Sequence, residues 1–566
     1  MKYSVCVIYR HKHRHGISIL VLCLFAICLG LPAQAQRRNT QSQDPRIYLD
    51  HADSLYYDEY RRHDTQVVRG HVKFRHQGTT LYCDSAYFKQ KENTFNAFGH
   101  VRMIQGDTLE ILCDTAFYDG RTDADMVHAQ HNVVVTHRKT SVLKTDNLIL
   151  DRKFDVVYYD NGGNYQDKSR GMTLSSDWGK YNLHTKEAEF FYAVTLKTNS
   201  HVITTDTLYY SPASERAHIV GGKTVYDKEG GGPAKWTKSV IHSIKDGYDV
   251  ETTNCFFYMK SDKVELFEKS LIADKTRSIT GDSLFYDSKT KQSRGYGRVK
   301  YEDRKNKNTL TAEIVHYDEN KGVGFATNNP VFVDYSQRDT LYLHADTIRV
   351  ETFYLNTDSM YRKVHCYPKV RMYRQDVQAV CDSMVICSRD SSMTMYFDPI
   401  VWNAERQLLG DSIRVFVRDS TIREANVMEK ALSIEMMHDL KNPGTIYFNQ
   451  VTSRFMNAYF TEGKLRQSEA IGSVQTIYYP VDDKDSTLIG LCYLETDTLR
   501  MFLTPERQLE KIWACKSDGV LYPMTQIPPK KDRLPNFGWY DGIRPQNKDD
   551  IYYIEERHKR ISNPLY

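Results

Sequence analysis

Little in this 566-residue chain points to bond-making chemistry. It has no Ser nucleophile elbow, no phosphate loop, no EF-hand loop and no glycine-rich calcium nonapeptide, so hydrolase, nucleotide and calcium chemistry lack their usual carriers. It also lacks an excess of charge. The 76 Lys and Arg against 72 Asp and Glu leave a formal net charge of +4, with the signs interspersed, which removes the basic footprint of a nucleic-acid binder. Beyond Leu31 no apolar run is long enough for a spanning helix, and the C-terminal end lacks the alternating segments of an outer-membrane barrel.

The N-terminus carries a targeting pattern. Lys2, Arg10, Lys12 and Arg14 precede an apolar run from Ile17 to Leu31, and Ala33-Gln34-Ala35 supplies small residues before Gln36. This reads as a cleavable signal peptide over 1–35 with a linker over 36–46, and no Cys marks a lipoprotein. Export permits disulfides. Of the eight later cysteines, however, Cys83, Cys113 and Cys381 occupy a slot that holds Ala, Gly, Ser or Thr elsewhere, so they read as small buried side chains. A Cys83–Cys113 bridge would require stacking to bring their α-carbons within bonding distance.

What the chain does have is aromatic weight and a repeat. Forty Tyr and 23 Phe favour strands over helices. An acidic or hydroxyl-bearing anchor recurs at Asp53, Asp84, Asp114, Asp146, Asp177, Asp206, Thr253, Asp282, Glu313, Asp346, Asp382, Asp411 and Asp497, mostly at intervals of roughly thirty residues, the signature of a repeat array. A small residue precedes each anchor, and apolar residues follow two and four positions later. Apolar residues three before the anchor have the opposite parity to those after it. A strand keeping all of them on one face must therefore gain a residue, which predicts a bulge or bend at each anchor. Half a period later come Gly70-His71-Val72, Gly99-His100-Val101, Gly297-Arg298-Val299 and Gly472-Ser473-Val474, read as turns that begin a second strand.

The anchor carboxylates suit a corner role better than acid/base catalysis, because thirteen copies tolerate Thr and Glu. His63, His71, His76, His100, His128, His131 and His137 crowd the first repeats, but their spacing fits no compact zinc site, so they are expected on solvated strand faces. Neither metal nor cofactor is expected, and the chain reads as a non-enzyme. Breaks in rhythm divide it into arrays over 47–220 and 249–420, an inserted loop over 221–248, a β-rich segment over 421–522 and an extended polar tail over 523–566.

Units such as Leu81-Tyr82-Cys83-Asp84-Ser85-Ala86-Tyr87-Phe88, followed by Ala97-Phe98-Gly99-His100-Val101, resemble the repeats of the OstA-like family, which includes the LptA-like periplasmic lipopolysaccharide-transport proteins. Tyr447 to Val451, Asn457 to Phe460 and Asn536-Phe537-Gly538-Trp539-Tyr540 resemble the C-terminal part of large OstA-like proteins of Bacteroidetes. The resemblance implies an all-β fold, an elongated, open-ended jellyroll of repeated antiparallel strands. It further implies a periplasmic protein, with outer-membrane association, that holds lipopolysaccharide acyl chains between two sheets and pairs by its edge strands with other transport components or a second copy. The expected groove lining is Leu55, Tyr57, Val72, Phe74, Leu81, Ala86, Phe88, Val101, Ile111, Ala116, Tyr118, Leu148, Leu208, Tyr210, Leu284 and Tyr286. Two alternatives are a secreted parallel β-helix enzyme acting on polysaccharide and a surface adhesin or scaffold array.

Overall fold

The structure is a computed structural model that describes residues 46–57, 64–211, 213–221, 238–245, 247–418, 421–439, 444–482, 487–506 and 509–552. The expected signal peptide and nearly all of the linker lie outside the described residues. Antiparallel strands run from Tyr48 to Pro523; unbroken strands pair with the next strand in the chain, and where a corner breaks a strand its two halves pair separately, as Arg216–Val220 does with Asn254–Tyr258. Because every pairing is antiparallel, the parallel β-helix alternative does not hold.

Each long strand belongs to two sheets. Gln66 to Arg69 pair with Ser85 to Phe88, Val72 to His76 pair with Thr79 to Cys83, and the register slips between them at Gly70 and His71. The same slip recurs at Gly99-His100, His131-Asn132, Tyr192-Ala193, Gly297-Arg298 and Gly472-Ser473. Elsewhere the corner interrupts the strand outright, as between Asp249–Thr252 and Asn254–Tyr258. The array is thus one ribbon folded lengthwise along a spine of corners. The half-strands before Gly70 and their neighbours form sheet I, and those after it form sheet II. The forty strands make about twenty-eight rungs, which at roughly 4.8 Å per rung span about 130 Å.

The corner has a local cause. Gly70 and His71 adopt φ of 78° and 46°, Gly99 and His100 adopt 75° and 42°, and Gly297 and Arg298 adopt 70° and 47°. Two successive left-handed residues restore the inward side after the strand bends. The anchor of the neighbouring strand packs on this pair: a Cβ at Gly99 would collide with the Asp84 carboxylate, and one at Gly70 with that of Asp53. The following residue supplies a partner. His71 Nδ1 lies 2.8 Å from Asp53 Oδ2, His100 Nδ1 2.7 Å from Asp84 Oδ2, and Arg298 donates to Asp282 at 2.8 Å. The Gly-led slot is therefore a correction to the sequence reading: it marks a mid-strand corner, not the turn that begins a strand, because glycine-rich left-handed backbone serves both.

The two sheets face each other across an apolar seam. Phe74 of sheet II stacks on Phe95 of sheet I at 4.3 Å, and Phe95 on Tyr118 at 5.0 Å, geometries worth about 0.5–1.5 kcal/mol each beyond their burial. His76, expected on a solvated face, is instead buried, with Nδ1 2.8 Å from the Tyr118 hydroxyl. Cys83, Cys113 and Cys381 are buried free thiols beside the corners. Burial pushes the Cys83 and Cys113 thiols up to about 12. The strand Thr94–Gln105 runs between them, which sets them about 10 Å apart, two strand spacings and beyond bridging range.

Two expected segments differ. Within the expected loop over 221–248, the strand Ser239–Ser243 continues sheet II, while Arg216–Val220 pairs directly with Asn254–Tyr258 in sheet I. From 523 to 552, where the described residues end, the expected polar tail is a strap over the outer face of sheet II. Gln450 and Gln407, buried on that face, hydrogen-bond its backbone at Asp532, Leu534, Gly538 and Tyr540. Gln378 accepts from Arg544, and Arg371 donates to the Asp550 carbonyl. Leu534 and Ile543 fill the apolar clusters around Ile434 and Trp402.

These features set three tests. Gly99→Ala should destabilise the chain clearly more than Gly106→Ala in denaturant unfolding. Both carry positive φ, costing about 1 kcal/mol or more, but only Gly99 faces a carboxylate whereas Gly106 has open space; equal losses would refute the corner packing. Removing 523–566 should lower the unfolding midpoint and raise binding of a hydrophobic dye, because Trp402 and Ile434 lose their cover; unchanged dye binding would refute the strap. The third test concerns pH. Hydrogen bonding to Asp84 raises the His100 pKa, and the same contact to Asp53 raises that of His71, both above 6.5. Their contribution to stability is full below the unfolded value and fades as pH rises through the raised folded value. A proton-NMR titration should show Asp84→Asn returning His100 toward 6.5 while lowering His71 far less, because Asp53 is the main cause of the His71 shift.

Candidate functional site

The inward faces of the two sheets build the seam from alternate residues of every strand, an arrangement set by strand period two and preserved by the corners. Thirteen of the sixteen expected lining residues are buried there: Val72, Phe74, Leu81, Ala86, Phe88, Val101, Ile111, Ala116, Tyr118, Leu148, Leu208, Tyr210 and Leu284. Tyr286 shares their face and is half-buried. Leu55 and Tyr57 face the seam opposite Val68 and Gln66, yet they are 50% and 52% exposed because their strand is the terminal rung.

The seam is not a uniform trough. It is filled by its own side chains in one cluster from Ile47 to Val157 and another from Met172 to Leu284. Where the two meet, a cavity of about 320 Å³ opens, at the lower end of the range for small-molecule sites. Leu109, Val135, Leu143, Val157, Tyr159, Tyr165, Met172, Leu174, Leu183, Ala188 and Phe190 give it apolar walls. A second cavity of about 280 Å³ shares Arg170, Met172 and Tyr210 with the first. Of the expected lining, only Tyr210 reaches either cavity.

Opposite the spine, hairpin turns from the two sheets form a pair of lips. Contacts on either side of the larger cavity latch them. On one side of the larger cavity, Arg152 of the sheet I lip donates to the Gln77 carbonyl of the sheet II lip at 3.4 Å and to the Tyr118 hydroxyl at 2.6 Å. On the other side, Arg170 of the sheet II lip lies 3.9 Å from Glu215 of the sheet I lip and donates to Asp167 at 2.9 Å. Burial alone would raise the Asp167 carboxyl, but hydrogen bonds from Ser169 and Arg170 outweigh it and hold the group below its ordinary value. Among the described residues no hydrogen bond or ion pair joins the lips between these latches.

The interval between the latches is cationic. Arg138 on the sheet II lip and Lys186 on the sheet I lip line the cavity, are exposed, and form no ion pair among the described residues. Burial, and then the charges of Arg138 and Lys186, lower the pKa of His137 beside them. Deeper in, Tyr210 is only 5% exposed, and its hydroxyl has no hydrogen-bond partner among the described residues. Burial pushes this phenol up to about 12, so it is a neutral donor at physiological pH.

These residues were missed in the sequence because the walls look like every other repeat. One available signal is Gly163 with Gly179: the Tyr159 ring lies over both, and a Cβ on either would run into it. That folded ring leaves the space beside it unfilled.

The family model described as OstA-like protein matches residues 44–206 and 236–344. Over those stretches the resemblance seen in the repeats is shown, and the same two-sheet pairing continues past residue 344 to Pro523. No curated protein matches the chain. Among solved structures, the chain is similar to LptH of Pseudomonas aeruginosa, described as the LptA homologous periplasmic component of the conserved lipopolysaccharide transport device. The identity is 15%, covering 21% of this chain and 82% of that chain, with a TM-score of 0.18.

Proposed function

We propose that this OstA-like chain is a non-enzymatic carrier of lipopolysaccharide in the periplasm, holding acyl chains between its two sheets while the sugars stay in water. The carrying observation is the apolar seam that runs between the sheets and opens, at the junction of two filled clusters, into a cavity with apolar walls and a cationic mouth. Sequestering an acyl chain there is favourable by roughly 0.8 kcal/mol per methylene, without any bond-making group. The length of the array, about 130 Å by rung spacing, suits a path along which a lipid moves toward the outer membrane.

The ends suit assembly. The first rung exposes Tyr48, Leu55, Tyr56 and Tyr57, and the last exposes Ile512, Trp513, Val520 and Leu521. Among the described residues each terminal strand pairs on one side, and such an edge can add a strand from another transport component or a second copy.

Photoreactive residues in living cells test the reading. Adducts with lipopolysaccharide should form at Leu183 and Tyr165, which line the cavity, and not at Lys144, which points outward from sheet II. Phe74 and Phe88, inside the filled cluster, should crosslink less than Leu183. Absence of adducts at every inward position would sink the proposal.

A further inference from the structure

We infer that the stretch of lip between the Arg152 and Arg170 latches is a lateral port for a phosphorylated lipid, which inserts an acyl chain into the cavity and places a phosphate between Arg138 and Lys186. The inference rests on the lipid-carrier reading and deepens it by naming where the lipid enters and which part of its headgroup is recognised.

Three observations converge. The cavity is lined at the lips by Arg138, Thr140, Ser141 and Lys186, which lie between the Arg152–Gln77 and Arg170–Glu215 latches. The two cations there come from opposite sheets, line one cavity and have no carboxylate partner among the described residues, whereas Arg152 and Arg170 at the flanking latches are each paired with at least one. An ammonium and a guanidinium facing a common space match a phosphate, which offers several acceptor oxygens at once. The third observation is the Tyr210 hydroxyl. Its burial without a partner is unfavourable in the empty protein and is relieved by a ligand that brings an acceptor. An ester carbonyl at the head of an acyl chain is such an acceptor, lying between the hydrocarbon and the phosphate as Tyr210 lies between the apolar walls and the lip.

This arrangement discriminates. A neutral lipid could fill the apolar walls but would leave the cations unused. Free phosphate could meet the cations but would gain nothing from the walls. The site therefore selects molecules carrying both parts.

Equilibrium binding to the full mature chain provides the test, with diphosphoryl lipid A, the same lipid stripped of phosphate, and inorganic phosphate as probes. Wild type should bind diphosphoryl lipid A at least about tenfold more tightly than the stripped form, the change one charge-assisted hydrogen bond supplies. The Arg138→Gln/Lys186→Gln double variant should lose that preference while binding the stripped lipid as before, and Arg138→Lys/Lys186→Arg should restore it. Tyr210→Phe should weaken binding of both lipids several-fold without lowering the thermal midpoint, since its hydroxyl has no partner among the described residues. Equal wild-type affinity for the two lipids, or a double variant that keeps the preference, would overturn the port and leave the carrier reading standing. Failure of wild type to bind either lipid would remove both. Inorganic phosphate that displaces diphosphoryl lipid A at equal concentration would assign the cations to a free anion and overturn the port.

Discussion

The whole molecule depends on the corner where an anchor carboxylate packs on two left-handed residues of the next strand. A strand presents alternate residues to opposite faces, so a strand that simply bends from one sheet into the facing sheet would bring its polar side inward in the second half. The slip at Gly99-His100 prevents this. Asp84 fills the space that a Cβ at Gly99 would occupy, and His100 closes the contact with a hydrogen bond. Repeated along the spine, the device lets a single ribbon supply both walls of the seam. It also explains the small slot beside each anchor: Cys83, Cys113 and Ala312 sit where the sheets converge, and a Cβ at Gly281 would press on Leu284 and Val299.

Much of this was legible because parity is a local property. The change of parity across Asp84 or Asp114 announces a bend, and the alternation after it gives the inward set, to which the buried Phe74, Ala116 and Leu148 belong. The glycine slot was misread because a left-handed corner and a tight turn ask for the same residues. The strap was illegible for another reason. Its partners Gln450, Gln407, Gln378 and Arg371 lie far away in sequence, and nothing near Pro528-Pro529 or Gln546 reveals them. The cavity was hidden because it depends on how Tyr159 folds over Gly163 and Gly179, a side-chain placement with no sequence period.

The two outer faces are stabilised in different ways, and this bears on where the seam can open. Sheet I carries a file of rings from Trp178 through Phe191, Tyr209, His218, Phe256, Phe267 and Phe285 to Tyr296. Cross-strand aromatic contacts of this kind add a few tenths to about 1 kcal/mol each and hold neighbouring strands together without covering layers. Among the described residues, sheet II is covered only toward the C-terminal end, where the strap reaches from Gln450 back to Arg371, with Tyr552 packed on His344.

The cavity lies outside that span, among the strands from Leu109–Asp119 to His201–Ser211. Admitting a chain between the lips requires the turns of the two sheets to part while the spine stays closed. Along the strapped rungs, sheet II is tied by buried amide and guanidinium hydrogen bonds, so parting would deform two layers at once. Around Arg138 and Lys186 it deforms one, with like charges already facing across the gap. The aromatic file on sheet I begins at Trp178, beside Gly179 in the cavity wall. It therefore stiffens the sheet I side, whereas the sheet II lip from His137 to Ser141 is held to its neighbours by backbone bonds from Arg138 to Thr108 and from Lys168 to Thr140.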